Sequence, residues 1–153
     1  MVNFNQDPIR RGRLECEGPD GMAVRQFVPE DDQAIFDLID YDRAHLSQEH
    51  SGIRDRTADH YKTVEDVRQS IEHSQDPSRL RFGIWFNGVM VGSNNLTPRG
   101  GGQVESGSWV GKQYIGHDFA NRGRELLLGI AFDLGYDQVV SKYLLAITLA
   151  AGR

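Results

Sequence analysis

The residues best suited to chemistry fall in two neighbouring clusters. The first is Val104-Glu105-Ser106-Gly107-Ser108-Trp109-Val110-Gly111, where small or apolar residues alternate with polar ones before a glycine. Alternation of period two belongs to a half-buried strand. It carries one carboxylate, Glu105, beside the small hydroxyls Ser106 and Ser108. A carboxylate there can take a proton from a nucleophile or simply face water, and residue type alone leaves both readings open. The second cluster is Tyr114-Ile115-Gly116-His117-Asp118-Phe119-Ala120-Asn121-Arg122-Gly123-Arg124. It runs into Leu126, Leu127, Ile130, Ala131 and Leu134 at helical spacing, with Gly135 where a C-cap belongs. A strand, a glycine-bearing turn and then a helix form an anion-receiving geometry. The first helical turn directs unpaired N–H groups and the positive end of its dipole at whatever precedes it. Such turns also serve as plain connections in α/β proteins, so the spacing alone does not choose. His117 beside Asp118 lacks a third ligand, so no metal centre is predicted and His117 reads as an exposed loop residue.

The elements that must position these clusters are legible upstream. Gly18-Pro19-Asp20-Gly21 is turn chemistry between two short strand-like runs. Val28-Pro29-Glu30-Asp31-Asp32 opens a helix whose apolar face is Ile35, Phe36, Leu38 and Ile39. Thr63-Val64-Glu65-Asp66 predicts a second helix start with Thr63 as N-cap, and Val64, Val67 and Ile71 as its buried face. Asp76-Pro77-Ser78 ends it. Arg81 to Phe86, then Asn87-Gly88, then Val89 to Gly92 is a hairpin with a two-residue type I′ turn. Thr97 to Gly102, with three glycines, reads as a flexible connection to the strand carrying Glu105. Gln138 to Leu149 is β-rich.

The order of these pieces resembles the general N-acetyltransferase (GNAT) superfamily, in particular the branch that acetylates N-terminal amines of ribosomal proteins. The resemblance rests on the strand Glu105 to Gly111, the loop Tyr114 to Ala120 and the amphipathic helix through Phe132 to Gly135. Arg43 to Leu46 matches an Arg-x-His-Leu stretch of the same branch, which implies that the first two helices wall the acceptor side. The resemblance implies a single domain over residues 1–153, of α/β (α+β) class, with a mixed, mostly antiparallel central sheet and flanking helices. It implies acetyl-CoA as cosubstrate, an amine substrate (a peptide N-terminus or a small molecule) and transfer of an acetyl group from thioester to amine. Glu105 takes the place of the general base. Trp109, Val110, Ile115, Gly116, His117, Asp118, Phe119, Ala120, Asn121 and Arg122 take the places that hold the cosubstrate, with backbone amides near Trp109 and Val110 facing its thioester arm.

Three departures carry physical weight. Ile115 stands where the branch usually has Gln or Arg, and Asp118 where it usually has a second glycine. Asp118 sets a negative charge before a doubly anionic ligand, while Arg122 and Arg124 offer compensation and Asp118 itself can serve as an N-cap. Third, the run after the helix is shorter than in the branch, so an incomplete C-terminal part of the sheet is expected, with Ser141 and Tyr143 as unmatched hydroxyls. An exposed edge invites pairing, and a homodimer through strand addition or C-terminal exchange is the expected assembly. A non-catalytic GNAT-fold binding or oligomerisation protein is the alternative reading.

Composition sets the outer bounds. With 153 residues, 25% charged and 39% apolar, the chain is of ordinary globular type. Its 17 basic and 22 acidic side chains give a net charge of −5, which speaks against a nucleic-acid surface and for a cationic partner, or for solubility alone. The single Cys16 rules out an internal disulfide and points to a reducing compartment. No apolar leader and no run of about 18 apolar residues is present, so no membrane contact and a cytoplasmic location are expected.

Overall fold

Turn chemistry sets the strand boundaries in the computed structural model, which describes residues 14–43, 61–73, 79–141 and 146–148. Asp20 and Gly21, at φ 59° and 83°, reverse the chain between β1 (Glu15–Glu17) and β2 (Met22–Gln26). Asn87 and Gly88, at φ 49° and 82°, supply the paired left-handed conformations a type I′ turn requires between β3 (Leu80–Phe86) and β4 (Val89–Gly100). The connection expected at Thr97 to Gly102 is mostly strand instead. β4 continues through Gly100, Pro98 pairs opposite Val104, and only Gly101 and Gly102 turn the chain into β5 (Gln103–Val110). Pro98 stands opposite Val104 in a pair that exchanges no hydrogen bonds with β5, so its missing N–H costs that ladder nothing, and the register shifts between Pro98 and Gly100. The same turn starts the strand on the far side, because the Gly102 carbonyl accepts the N–H groups of Asp137 (2.8 Å) and Gln138 (3.3 Å).

The helices begin where their capping residues dictate. A short 3-10 turn, Pro29–Asp31, precedes α1 (Asp32–Tyr41), and the largely buried Asp31 carboxylate accepts the Val28 N–H at 3.0 Å. α2 (Val64–His73) opens on a reciprocal capping box: Thr63 Oγ1 accepts from the Asp66 N–H at 3.1 Å, and Asp66 Oδ2 accepts from the Thr63 N–H at 3.0 Å. Arg68 joins the two helices, reaching Asp32 at 3.2 Å and Glu72 at 3.3 Å. α3 (Phe119–Asp133) follows β5, then β6 (Gln138–Ser141) and β7 (Ala146–Thr148).

The strands form one sheet in sequence order, β1 to β7, antiparallel throughout except for the parallel pair β5–β6 that α3 connects. α3 lies on one face, where Leu127 and Ile130 pack with Val24, Phe82, Ile84, Leu96 and Val104. α1 and α2 lie on the other, where Ile35, Leu38, Ile39, Val67 and Ile71 pack with Trp85 and Met90. Burying both faces in this way supplies the main driving force for the fold, on the order of 25 cal/mol per Å² of apolar surface removed from water. The mixed, mostly antiparallel sheet with flanking helices agrees with the expected architecture.

Candidate functional site

The site begins with a strand that, among the described residues, is paired over only half its length on one side. β5 meets β4 along its whole length, from Val104 opposite Pro98 to Val110 opposite Gly92. On its other side it meets β6 only from Gln103 to Ser106, the last partners being Ser106 and Ser141. Beyond that point no strand among the described residues pairs with this edge. In an antiparallel ladder, residues that exchange hydrogen bonds alternate with residues that do not. The Gly111 N–H donates to the Val91 carbonyl at 2.8 Å, in the same register, so the odd-numbered residues of β5 direct their backbone groups at β4. The even-numbered ones direct theirs away from it. Ser108 and Val110 therefore present backbone N–H and C=O groups along the open edge. Trp109 does not: its backbone serves β4, and its indole packs on the α1 and α2 side. Of the amides near Trp109 and Val110 expected to face a thioester arm, the register turns those of Ser108 and Val110 away from β4 and that of Trp109 toward it.

The loop after β5 is held at its root and open at its tip. Asp42, 1% exposed at the end of α1, accepts the Lys112 N–H through Oδ2, while its Oδ1 has no hydrogen-bond partner among the described residues. A Cβ on Gly111 would come within 2.6 Å of the Leu38 Cδ1, so the glycine lets the chain pass α1 without displacing that side chain. Tyr114 then donates its N–H to the Gly111 carbonyl at 2.8 Å. Gly116 adopts φ 101° and Asp118 φ 62°, two left-handed positions that swing the chain into α3. Ile115 is 60% exposed, and Gly116, His117, Asp118, Ala120 and Asn121 are exposed too.

Asp118 occupies the N-cap position without capping the backbone. Its Oδ1 accepts instead from the Asn121 side-chain amide at 2.8 Å. The first intrahelical bond runs from the Arg122 N–H to the Asp118 carbonyl at 3.0 Å, which leaves the N–H groups of Phe119, Ala120 and Asn121 ahead of the ladder. Phe119 fixes this turn: it is 4% exposed, packed at 5.0 Å from Phe86 and 5.3 Å from His117, ring centre to ring centre. Arg122 lies over the rings of Phe86 and Phe119, at 5.8 and 5.6 Å. The turn thus offers free backbone donors, a cation beside them and one carboxylate drawn sideways onto Asn121. This donor set suits a phosphate-bearing ligand.

Glu105 stands at the other end of the open edge, one residue before the last Ser106–Ser141 pair. Its side chain shares the α1 and α2 face with Trp109, is 36% exposed, and pairs with Arg99 at 3.3 Å. Five residues of strand separate it from Val110, about 17 Å at the usual rise. Sequence reasoning missed Arg99, although a hairpin turn at Gly101-Gly102 would have placed it beside Glu105. It also missed Asp42, for which no local pattern exists. Ser141 ends β6. Tyr143, the stretch 44–46, and His45, His50 and His60 lie outside the described residues. Among the described residues no group of three or more His, Cys, Asp or Glu side chains is placed to hold a metal, and no helix is long and apolar enough to cross a membrane.

Comparison with known proteins bears on the fold. No family model matches the sequence, and no curated protein sequence matches it. Solved structures do match. The RimL ribosomal L7/L12 alpha-N-protein acetyltransferase in complex with coenzyme A superposes with a TM-score of 0.71 at 13% identity, covering 83% of this chain and 73% of that one. The ribosomal-protein-S5-alanine acetyltransferase from Vibrio fischeri gives 0.64 at 14% identity, covering 82% and 72%. The microcin C7 self immunity acetyltransferase MccE, in complex with acetyl-CoA and AMP, gives 0.64 at 14% identity, covering 81% and 73%. The chain is similar to these proteins in fold, and the fold is that of the GNAT acetyltransferases.

Proposed function

We propose that this chain is an N-acetyltransferase that moves an acetyl group from acetyl-CoA to a primary amine, a peptide N-terminus or a small molecule. The observation that carries the reading is the junction of two features: a β5 edge at Ser108 and Val110 that no strand among the described residues pairs, and the N–H groups of Phe119 to Asn121, ahead of the helical ladder, just beyond it. The bound coenzyme in two of the structural neighbours supports acetyl-CoA as the occupant. In this reading the first turn of α3, with Gly116, His117, Asp118 and Arg122 around it, receives the diphosphate. Ile115 lies at the rim. The thioester arm lies along the open edge, its amides meeting the backbone of Ser108 and Val110 as an added strand would.

The chemistry follows from the far end of that edge. An ammonium group cannot attack a carbonyl until it loses a proton, and Glu105 is the carboxylate there to take it, directly or through water. The amine nitrogen then bonds to the thioester carbon, the carbon–sulfur bond breaks, and the thiolate leaves and is protonated. Arg99, paired with Glu105, holds the carboxylate in place. The acceptor enters from the side walled by α1 and α2. The reading extends to a cytoplasmic protein that binds neither nucleic acid nor membrane, and to a homodimer paired through an outer strand of the sheet.

Isothermal titration with acetyl-CoA, followed by thiol release over a panel of amines and N-terminal peptides, tests this. Micromolar binding, weakened at least tenfold by Arg122→Ala, with turnover lost in Glu105→Gln, is the expected result. Binding without turnover on any amine would favour a non-catalytic binding protein, and absence of binding would overturn the reading. Light scattering of the purified chain decides the dimer.

A further inference from the structure

Glycine is an uncommon choice inside a strand, because it packs nothing and gives up more backbone freedom on folding than any other residue. The other glycines of the described strands each have a structural reason. A Cβ on Gly83 would come within 2.7 Å of the Trp85 Nε1, one on Gly92 would strike the Trp109 carbonyl, and Gly100 sits at φ 89°. Gly107, in the middle of β5, has neither a crowded Cβ nor a left-handed backbone. The nearest atoms its Cβ would meet belong to the Asn95 amide, at 3.4 Å from Nδ2 and 3.6 Å from Oδ1, which is ordinary van der Waals contact. The fold would accept alanine here and gain by it.

The place of this glycine gives it a use. Side chains alternate along β5, so positions 105, 107 and 109 share the sheet face on which α1 and α2 lie and against which Trp109 packs. Asn95 stands directly across the ladder from Gly107, with Thr97 opposite Glu105 and Ser93 opposite Trp109. The missing side chain therefore leaves a half-buried notch bounded by an indole, an amide and a carboxylate. About 7 Å of strand separates the Cα of Gly107 from that of Glu105. The pairing with Arg99 draws the Glu105 carboxylate toward the hairpin turn, which keeps it beside the notch and not in it.

A strand glycine that neither turn nor packing requires marks a place where another molecule comes close to the backbone. We propose that Gly107 is a specificity-determining residue for the acceptor: the carbon bearing the amine lies over its Cα with the amine turned to Glu105, and the site selects primary amines with little bulk on that carbon. Every methyl added to the carbon has to fit between the indole and the Asn95 amide. Room for a single such group separates substrates by about 10- to 200-fold in an enzyme pocket. The proposal rests on the acetyl-CoA reading above and deepens it by naming the class of acceptor.

The test measures thiol release from acetyl-CoA with glycinamide, alaninamide and valinamide, which differ only in what the amine-bearing carbon carries. Wild type is expected to use glycinamide and alaninamide well and valinamide at least tenfold less well in kcat/KM. Gly107→Ala fills the notch by one methyl. It is expected to lower kcat/KM for alaninamide at least tenfold and for glycinamide by much less, while acetyl-CoA affinity by calorimetry stays within about twofold and the variant melts no lower than wild type. An unchanged preference among the three amides overturns the proposal, and so does an equal loss for all of them or a wild type that prefers valinamide. A Gly107→Ala protein that melts lower, binds acetyl-CoA in parallel more weakly or fails to fold would show that packing needs the glycine, and overturns it too. Wild-type protein that binds acetyl-CoA but acetylates none of the amides removes this proposal and spares the cosubstrate site. Wild-type protein that does not bind acetyl-CoA removes the acetyl-CoA reading itself.

Discussion

Asp42 Oδ2 accepts the amide hydrogen of Lys112, tying the end of α1 to the first residue after Gly111, 70 positions away in sequence. This one bond fixes where the loop of the candidate site leaves the sheet. Asp42→Ala strands the Lys112 N–H and is expected to cost about 1–3 kcal/mol of stability, measured by urea denaturation. It also loosens the loop and raises the acetyl-CoA dissociation constant. Asp42→Asn keeps an acceptor oxygen of the same shape and is expected to retain most of both. Equal losses in the two variants would show that the charge matters and the bond does not.

Asp118 combines a left-handed backbone with a negative charge before the first turn of α3. Replacing it by glycine relieves a conformation that disfavours side chains by about 1–2 kcal/mol and removes a negative charge that would face the diphosphate of the proposed cosubstrate. The bond to Asn121 is lost, but it is exposed and worth little. Asp118→Gly is therefore expected to bind acetyl-CoA several-fold more tightly and to melt no lower than wild type. Weaker binding would mean that the Asp118 carboxylate organises the turn through Asn121.

Glu105→Gln preserves shape and removes the proton acceptor. General-base catalysis contributes roughly 10²–10⁴-fold, so kcat is expected to fall by at least about 10² while acetyl-CoA affinity, read by calorimetry, stays unchanged. Arg99→Ala releases the carboxylate from its 3.3 Å pairing and is expected to have a smaller effect, because both side chains are well exposed. A Glu105→Gln enzyme of normal rate would return Glu105 to the role of a solvent-facing strand residue.

Cys16 is 2% exposed on β1, and burial pushes its thiol pKa above the usual range. The folded protein holds a proton that the unfolded chain gives up sooner, so this group's contribution to stability is full below the unfolded thiol's pKa and is lost as pH rises through the folded value. Iodoacetamide is expected to modify native Cys16 far more slowly than the urea-unfolded chain at the same pH. Cys16→Ala is expected to flatten the alkaline fall in unfolding free energy. Rapid labelling of the native protein would contradict the burial.

What the sequence disclosed and what it withheld divide by range. Asn87-Gly88, the Thr63 cap, the strand around Glu105 and the start of α3 near Phe119 are written in adjacent residues, because dihedral preference and hydrophobic period act locally. The continuation of β4 through Pro98 was hidden, since proline and three glycines read as a break until β5 is there to pair with them. Which residues of β5 face the open edge was hidden for a related reason. Trp109 and Val110 exchange roles with the pairing of β4, and no property of either side chain encodes that. Asp42 gave no signal at all, because it matters through a partner on another element, 70 positions away.

The two-glycine turn between β4 and β5 has a consequence larger than its size. Because strand side chains alternate between faces, sliding β5 by one position against β4 would carry the carboxylate of Glu105 into the α3 layer and hand the outward amides to its odd-numbered neighbours. Lengthening the Gly101-Gly102 turn by a single residue would therefore exchange the two faces of β5 without altering any residue of the strand. The carbonyl that Gly102 lends to Asp137 and Gln138 locks the same offset from the far side, so the facing of Val110 is set at a turn eight residues away.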